Sequence, residues 1–455
     1  MNTEMTRRFD GMDDTGEQAG EPPDGPGAAG GRGAPRLRRP DRTQMTWEPW
    51  SLEERLAQDH PARTIWSVVE RLDLSAFYEA IEARGEAPGR AATDPRLLVS
   101  LWLYAATEGV GNGRRLARLC EVHDAYRWLC GGVSVNYHTL NDFRVEHGAA
   151  LDELLTQVLA SLMDKGLVQV KRISQDGTKV RASAGARSFR RRARLETLLQ
   201  EARAHVKALK EQADEEAGES ARRRAAQERA ARERQERIEA ALLTMAELEA
   251  VKARQREDKP TRHEAPRAST TDADARRMRL GDGGFGPAYN VQLATDTESR
   301  AIVGVTVTTH GTDHGEDVPL REQVDRRTGG KVQEHLVDGG YVKRTSIEAA
   351  AAEGVALYAP LPATGAGGSV CIHNEQDSAA VAAWRERMRT PEGQTAYRER
   401  AATSETVNAD LKTFRGLTSL AVRGLAKVRC VVLWSVLAYN LLHFAEALLG
   451  VGGSS

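Results

Sequence analysis

AYNVQLATDTESRAIVGVTVTTH, residues 288–310, holds two runs of alternating character separated by Thr297–Arg300. Alternation with a period of two marks a strand with one buried face, and a short polar break between two such runs predicts a hairpin. Outward from it, LVQVKRIS (167–174) reads as an earlier strand ending at Asp176, and HLVD (335–338) and VALYAPL (355–361) as later ones. A helical segment around Glu316 to Arg327 and the helix IEAAAAEG (347–354) separate them, and more helix follows toward Glu405. The order is strand, long insertion, two hairpin strands, then helix and strand twice, then helix.

That order is the order of an α/β ribonuclease H-like core, a mixed five-stranded sheet with helices. Its first three strands are antiparallel and its later strands add through helical crossovers. The first and fourth strands are then neighbours, which carries Asp176 and Asp338 to one edge although 161 residues lie between them. Gly177 follows the first acid and Gly339 and Gly340 the second, leaving both carboxylates open to close approach. A third acid, Glu405, lies in TSETVNADLK (403–412), seven residues before Lys412. Seven residues is close to two helical turns, so the two side chains are expected on one face.

Two or three carboxylates suffice for magnesium, which takes oxygen ligands and keeps several waters. Two such ions about 3.5–4 Å apart clamp the attacking and leaving oxygens of an in-line phosphoryl displacement. Asp176, Asp338 and Glu405 are therefore the candidate catalytic acids, and Tyr397, Arg400 and Lys412 the candidate contacts to flanking phosphates. A strand-end aspartate also serves as a turn or cap group, so on residue type alone both readings stand.

The formal net charge of the 455 residues is −1, which leaves any nucleic-acid contact to local basic patches. One such patch runs from Lys171 to Arg194, where nine Lys or Arg residues accompany a single acid, Asp176. Lys179 and Arg181 within it are expected to contact DNA; a solvated basic surface is the alternative. The four cysteines show no CxxC pairing, which argues against a zinc site or disulfide framework and fits a reduced cytosol. No apolar region of a secretory signal opens the chain. The apolar stretch from Val428 to Leu449 is interrupted by Arg429, Asn440, His443 and Glu446, which fits a buried helix better than a membrane span. The expectation is a cytoplasmic protein with no membrane partner.

Residues 1–45 carry few large apolar side chains and read as a disordered tail. Residues 46–167 read as an all-α domain, with Asp94 and Pro95 opening DPRLLVSLWLYAATEG and Asn112 opening the next helix. Its short helices suit a helix-turn-helix-like DNA-binding unit with His138, Asn141 and Arg144 exposed, or a bundle used for packing or dimerisation. Residues 168–188 begin the catalytic core and 266–416 complete it, with a C-terminal helix and tail over 417–455. Between them, 189–265 predicts a pair of charged antiparallel helices broken near Gly218. Their thin stripe is Leu195, Leu198, Leu199, Val206 and Leu209 against Ile238, Leu242, Leu243 and Leu248. This arm reaches DNA or a second protomer, or is a solvated spacer. His310, Asp313 and His314 read as capping and loop polarity, Asn290 as a sheet-edge group, Trp434 as core, and GDGGFG (281–286) as a turn.

The chain resembles the insertion-sequence DDE transposases, most closely the eleven-eighty-two group, over about residues 46–445. The resemblance rests on SQDGTKVRASAG (174–185), DGGFGPAYNVQLATDTESRAIVGV (282–305), LVDGGY (336–341), RAATSETVNADLKTFRGL (400–417) and RGLAKVRCVVLWSVLAYNLL (423–442). It implies Asp176, Asp338 and Glu405 as ligands of magnesium or manganese, and DNA transposition by strand cleavage and transfer. It also implies an N-terminal domain that binds terminal inverted repeats, target DNA as a second substrate, and a dimer or higher oligomer on DNA in the bacterial nucleoid. A relative that binds DNA without cleaving it, and a nuclease that cuts without joining, are the competing readings. One departure stands out. The related pattern places three residues between its arginine and glutamate, whereas four separate Arg400 from Glu405 here, which makes Arg398 a second candidate for the phosphate contact.

Overall fold

A segment expected to be structureless carries a strand. In the computed structural model, which describes residues 35–43, 51–85, 91–213, 220–258, 265–361, 363–364, 369–370 and 377–449, strand β1 (Leu37–Arg38) pairs in parallel with β2 (Ala92–Thr93). The Arg42 guanidinium lies 3.5 Å from the Trp66 ring centre and 4.5 Å from that of Trp128. Burial pulls its pKa down to about 10. Cation–π contact with two indoles ties 35–43 to the helical region, so these residues, expected to belong to a disordered tail, are structured. Residues 1–34 and 44–50 lie outside the described residues.

The helical region holds α1 (Leu52–Arg55), α2 (Pro61–Val69), α3 (Ser75–Glu79), α4 (Pro95–Thr107), α5 (Gly113–Val122), α6 (Asp124–Cys130), α7 (Tyr137–Glu146) and α8 (Gly148–Asp164). Their starts follow the caps in the sequence. Asp94 accepts from the Arg96 amide at 2.9 Å with Pro95 at the first helical position, and the Asn112 and Asn136 side chains cap α5 and α7. His138 and Asn141 are exposed on α7. Arg144 is not. It donates to the Gly111 carbonyl and lies 4.7 Å from the Trp102 ring centre, and burial lowers its pKa to about 10. Its long stem reaches back into the bundle, where the indole face and a carbonyl replace water.

The sheet has six strands, one more than expected. Strand β3 (Arg172–Arg181) is followed by the insertion and then by β6 (Arg276–Arg279), β7 (Phe285–Asp296), β8 (Ile302–Thr308), β9 (Glu334–Leu336) and β10 (Ala356–Tyr358). β7 pairs antiparallel with β3 and β8; β9 pairs in parallel with both β3 and β10. The extra strand β6 shares the β8 edge of β7 and pairs with its N-terminal end across the GDGGFG turn. Asp296 holds the hairpin turn by accepting from the Ser299 amide at 2.9 Å. Helices α11 (Asp317–Thr328) and α12 (Arg344–Ala352) make the crossovers to β9 and β10.

The insertion leaves and rejoins the core through a small ribbon, β4 (Phe189–Arg190) against β5 (Ala268–Ser269). From it rise α9 (Arg192–Ala213) and α10 (Ser220–Asp258), antiparallel as expected; the break near Gly218 lies outside the described residues. Ion pairs Arg192–Glu249 at 2.6 Å and Arg203–Glu239 at 3.0 Å set their register. The apolar seam differs from the leucine stripe. Leu195, Ala202, Ala231, Ile238, Ala241 and Met245 are buried, while Leu243 is 71% exposed. Leu243, two residues from both Ala241 and Met245, is about 200° around the helix from the buried seam and so faces outward.

Helices α13 (Ala379–Arg389), α14 (Pro391–Arg400), α15 (Thr406–Thr413), α16 (Leu425–His443) and α17 (Ala445–Leu449) complete the chain. α16 is long and apolar enough to cross a membrane by length and composition, and it is 72% buried inside the protein. It packs on α4, α7 and α8 on one side and on β8 on the other. Trp434 donates to the Arg144 carbonyl at 3.0 Å, and Asn440 bonds both backbone groups of Ile302. A single apolar core therefore runs from the helical region into the sheet.

Candidate active site

Strand register brings the two aspartates together. The parallel pairing of β3 with β9 matches Arg172 to Glu334, Ile173 to His335 and Ser174 to Leu336. Continued by two residues, the same offset sets Asp176 level with Asp338. Asp176 does not end its strand, as expected from sequence; it lies in mid-strand, because β3 continues to Arg181 along β7. What ends at that level is β9, and its backbone turns away there, with the Gly340 amide donating to the Asp338 carboxylate at 2.7 Å.

Helix α14 is braced over this level. The Arg172 guanidinium binds both Glu334 of β9 and, at 2.7 Å, Glu399 of α14. Thr390 caps α14 by accepting from Gly393. Gly393 is obligatory there, since a Cβ would lie 1.9 Å from the Arg387 carbonyl oxygen. The next residue after Glu399 is Arg400, and its guanidinium lies 2.9 Å from Asp176 Oδ1 and 3.9 Å from Asp338 Oδ2. One cation thus spans both aspartates.

The irregular spacing after Arg400 has a structural counterpart. Residues Ala401–Glu405 form a π-helical turn between α14 and α15. In an uninterrupted α-helix one extra residue rotates everything after it by about 100°. A turn closing i to i+5 takes up that residue, and such bulges recur at functional sites. Beyond it, Ser404 Oγ lies 2.5 Å from Ser174 Oγ, and the Asn408 amide donates to Asp176 Oδ2 at 2.8 Å. Arg400, Ser404 and Asn408 form the row against the sheet. Glu405 is exposed beside that row, with no ion-pair partner among the described residues. Asn408 escaped the sequence reading; its only signal was its position one helical turn after Glu405.

Charge at the centre follows from this packing. Burial pushes the Asp176 carboxyl up; the Arg400 cation opposes this, and the charge of Asp338 adds to it. Burial pulls the ammonium of half-buried Lys412 down, and the charge of Asp176 opposes this. Burial pushes the half-buried Tyr397 hydroxyl up, with Arg400 opposing and Asp338 and Asp176 contributing. Arg398 is exposed on the other side of α14. Arg181 is exposed and paired with Asp282 at 2.5 Å.

Lys179 has a different place from the one expected. Its ammonium is 2.8 Å from Asp313 on the opposite face of β3, where Asn290 and Gln292 also donate to Asp313 Oδ1. Although burial works the other way, these donors hold the Asp313 carboxyl below its ordinary range. Tyr341, three residues after Asp338, joins the same network by donating to Gln292. Asp313 is thus the hub of a buried polar layer rather than a cap, and Asn290 is a central-strand residue rather than an edge group. His310 pairs with Glu316 at 2.6 Å.

Among the described residues no three Asp, Glu, His or Cys side chains gather into a metal site. The two aspartates nonetheless fit a hard divalent cation. Both are carboxylates within reach of one positive group, and Asn408 Oδ1 is buried beside them without a partner among the described residues.

Two family models match the chain. Residues 50–146 match one described as a transposase domain (DUF772), and residues 364–445 match one described as a transposase DDE domain. The first covers α1 to α7, and the second includes Arg400, Glu405 and Lys412; Asp176 and Asp338 lie outside both. These matches support an insertion-sequence DDE transposase, a DNA-cleaving enzyme of a mobile element. Searches of curated proteins and of solved structures return no match.

Proposed function

We propose that this chain binds the ends of its own insertion sequence, cleaves DNA there, and joins the freed end to target DNA. The observation that carries this is the level register of Asp176 and Asp338 beneath Arg400 and Asn408. The order of strands β8, β7, β3, β9 and β10 supports a ribonuclease H-like core, here with β6 added at the edge. On this reading Asp176 and Asp338 would hold magnesium or manganese, with Glu405 as the third carboxylate. The bound cations supply activation of the attacking oxygen and stabilisation of the departing 3′-oxygen.

The protein's own groups do the positioning. Asn408 fixes one oxygen of Asp176 and leaves its other carboxylate oxygen to Arg400. Were the acids to hold divalent cations, the Arg400 guanidinium beside them would be available to a phosphate oxygen, which its planar fork suits. Lys412, whose ammonium burial disfavours, would have that cost offset by a phosphate bound beside it. Tyr397 presents its hydroxyl to the same backbone. Exposed His138 and Asn141 on α7 are the candidate groups for reading the terminal repeats. The reaction takes place in the bacterial cytoplasm, on DNA held by two or more copies of the chain.

The test is cleavage of a duplex carrying the repeat that flanks the coding sequence, with magnesium, followed by a search for joined products. Nicking at the repeat end and strand-transfer products are expected. Cutting without joining would point to a nuclease, and binding without cutting to an inactive relative.

A further inference from the structure

At the root of the insertion hairpin lies a cleft of about 730 Å³ lined by five arginines. Arg190 comes from β4, Arg194 from α9, Arg234 and Arg237 from α10, and Arg423 from the segment entering α16. No Asp or Glu among the described residues lines it. Arg194 and Arg237 have exposed partners, Glu201 at 3.1 Å and Glu233 at 3.7 Å. Arg190, Arg234 and Arg423 are exposed and have no ion-pair partner among the described residues. Like charges turned toward one volume repel, and a folded chain keeps such an arrangement where a polyanion relieves it.

The cleft is tied to the catalytic strand. Leu420 donates its amide to the Arg181 carbonyl, and Arg423 Nε donates to the Ser183 carbonyl at 3.2 Å. Ser183 is seven residues beyond Asp176, at most roughly 23 Å along an extended chain. Guanidinium groups of this kind grip phosphates in either strand without reading base edges.

We infer that this arginine cleft clamps the phosphate backbone of duplex DNA flanking the cleaved bond, independently of sequence. Its location relative to the cut rests on the proposed function; the binding itself does not. The inference gives the helical insertion a task, holding the DNA flank against the core.

The experiment is equilibrium binding of the full chain to a random-sequence duplex at several salt concentrations. Each neutralised phosphate contributes about 0.9 to the slope of log affinity against log salt. Arg190→Gln, Arg234→Gln and Arg423→Gln together are expected to reduce that slope by about 2.7, and Arg234→Gln alone, at an exposed helix position, by about 0.9. The triple lysine variant keeps the charge and is expected to keep the slope. Asp176→Asn also keeps it, so a chain that fails to cleave yet loses slope in the glutamine variants retains the cleft and loses the catalytic reading. An unchanged slope in both glutamine variants, with wild-type cleavage, overturns the inference. So does a change of oligomeric state with DNA binding intact, which would make the cleft an interface between copies.

Discussion

Replacing Asn440 by leucine, which keeps the number and branching of side-chain heavy atoms, removes the polar link between the C-terminal helix and the sheet. Asn440 is fully buried on α16; its Oδ1 accepts from the Ile302 amide at 3.0 Å and its Nδ2 donates to the Ile302 carbonyl at 2.9 Å. Leucine removes both bonds and leaves a buried N–H and a buried C=O facing apolar atoms. Each unpaired group costs about 1–3 kcal/mol, so the loss is about 2–6 kcal/mol, a large fraction of a typical total of about 5–15 kcal/mol. With a urea dependence of roughly 3 kcal/mol per molar, the unfolding midpoint falls by about 0.7–2 M. Urea titration read by tryptophan fluorescence and by far-ultraviolet circular dichroism measures it. Because α16 joins the helical region and the sheet in one core, both probes should shift together. An unchanged midpoint, or a loss seen by one probe alone, would refute the reasoning about the shared helix.

Arg400→Gln removes the cation that spans Asp176 and Asp338. The Asp176 carboxyl, already raised by burial, then rises further, so the acid limb of the pH–cleavage profile should move to higher pH; a limb that stays in place would count against the pairing. His335 is fully buried on β9 with neither ring nitrogen partnered among the described residues, and burial, reinforced by Arg321, holds its pKa down at about 3. Its folded-state pKa is depressed, so its contribution is complete above the unfolded value near 6.5 and is lost as pH falls toward 3, at up to about 1.4 kcal/mol per pH unit. His335→Leu should flatten the acid side of a plot of melting temperature against pH, and parallel curves for the two proteins would contradict this.

The hairpin at 288–310 was legible because period-two alternation and a polar turn are local signals. The meeting of Asp176 with Asp338 was legible at the level of strand order, since crossover connections leave few arrangements for two parallel strands beside the first. The sixth strand was not. RRMR at 276–279 has one apolar residue and takes its place only by pairing with β7. The side chains around the first acid were also hidden, because a π turn shifts which residues face the sheet and composition carries no trace of it. The odd spacing between Arg400 and Glu405 was visible, but its accommodation was not. The pairing of Lys179 with Asp313 was hidden for a related reason. A mid-strand residue alternates faces, so once β3 is seen to continue past Asp176, Lys179 belongs to the far side.

The central claim is that Asp176, Asp338 and Glu405 form one catalytic centre for DNA cleavage. Single-turnover nicking of a terminal-repeat duplex with magnesium, using Asp176→Asn, Asp338→Asn and Glu405→Gln, tests it most directly. The expected result is loss of nicking in all three, with DNA binding and its salt dependence retained. Wild-type nicking by Glu405→Gln would remove the exposed glutamate from the centre, and wild-type nicking by all three would contradict the account.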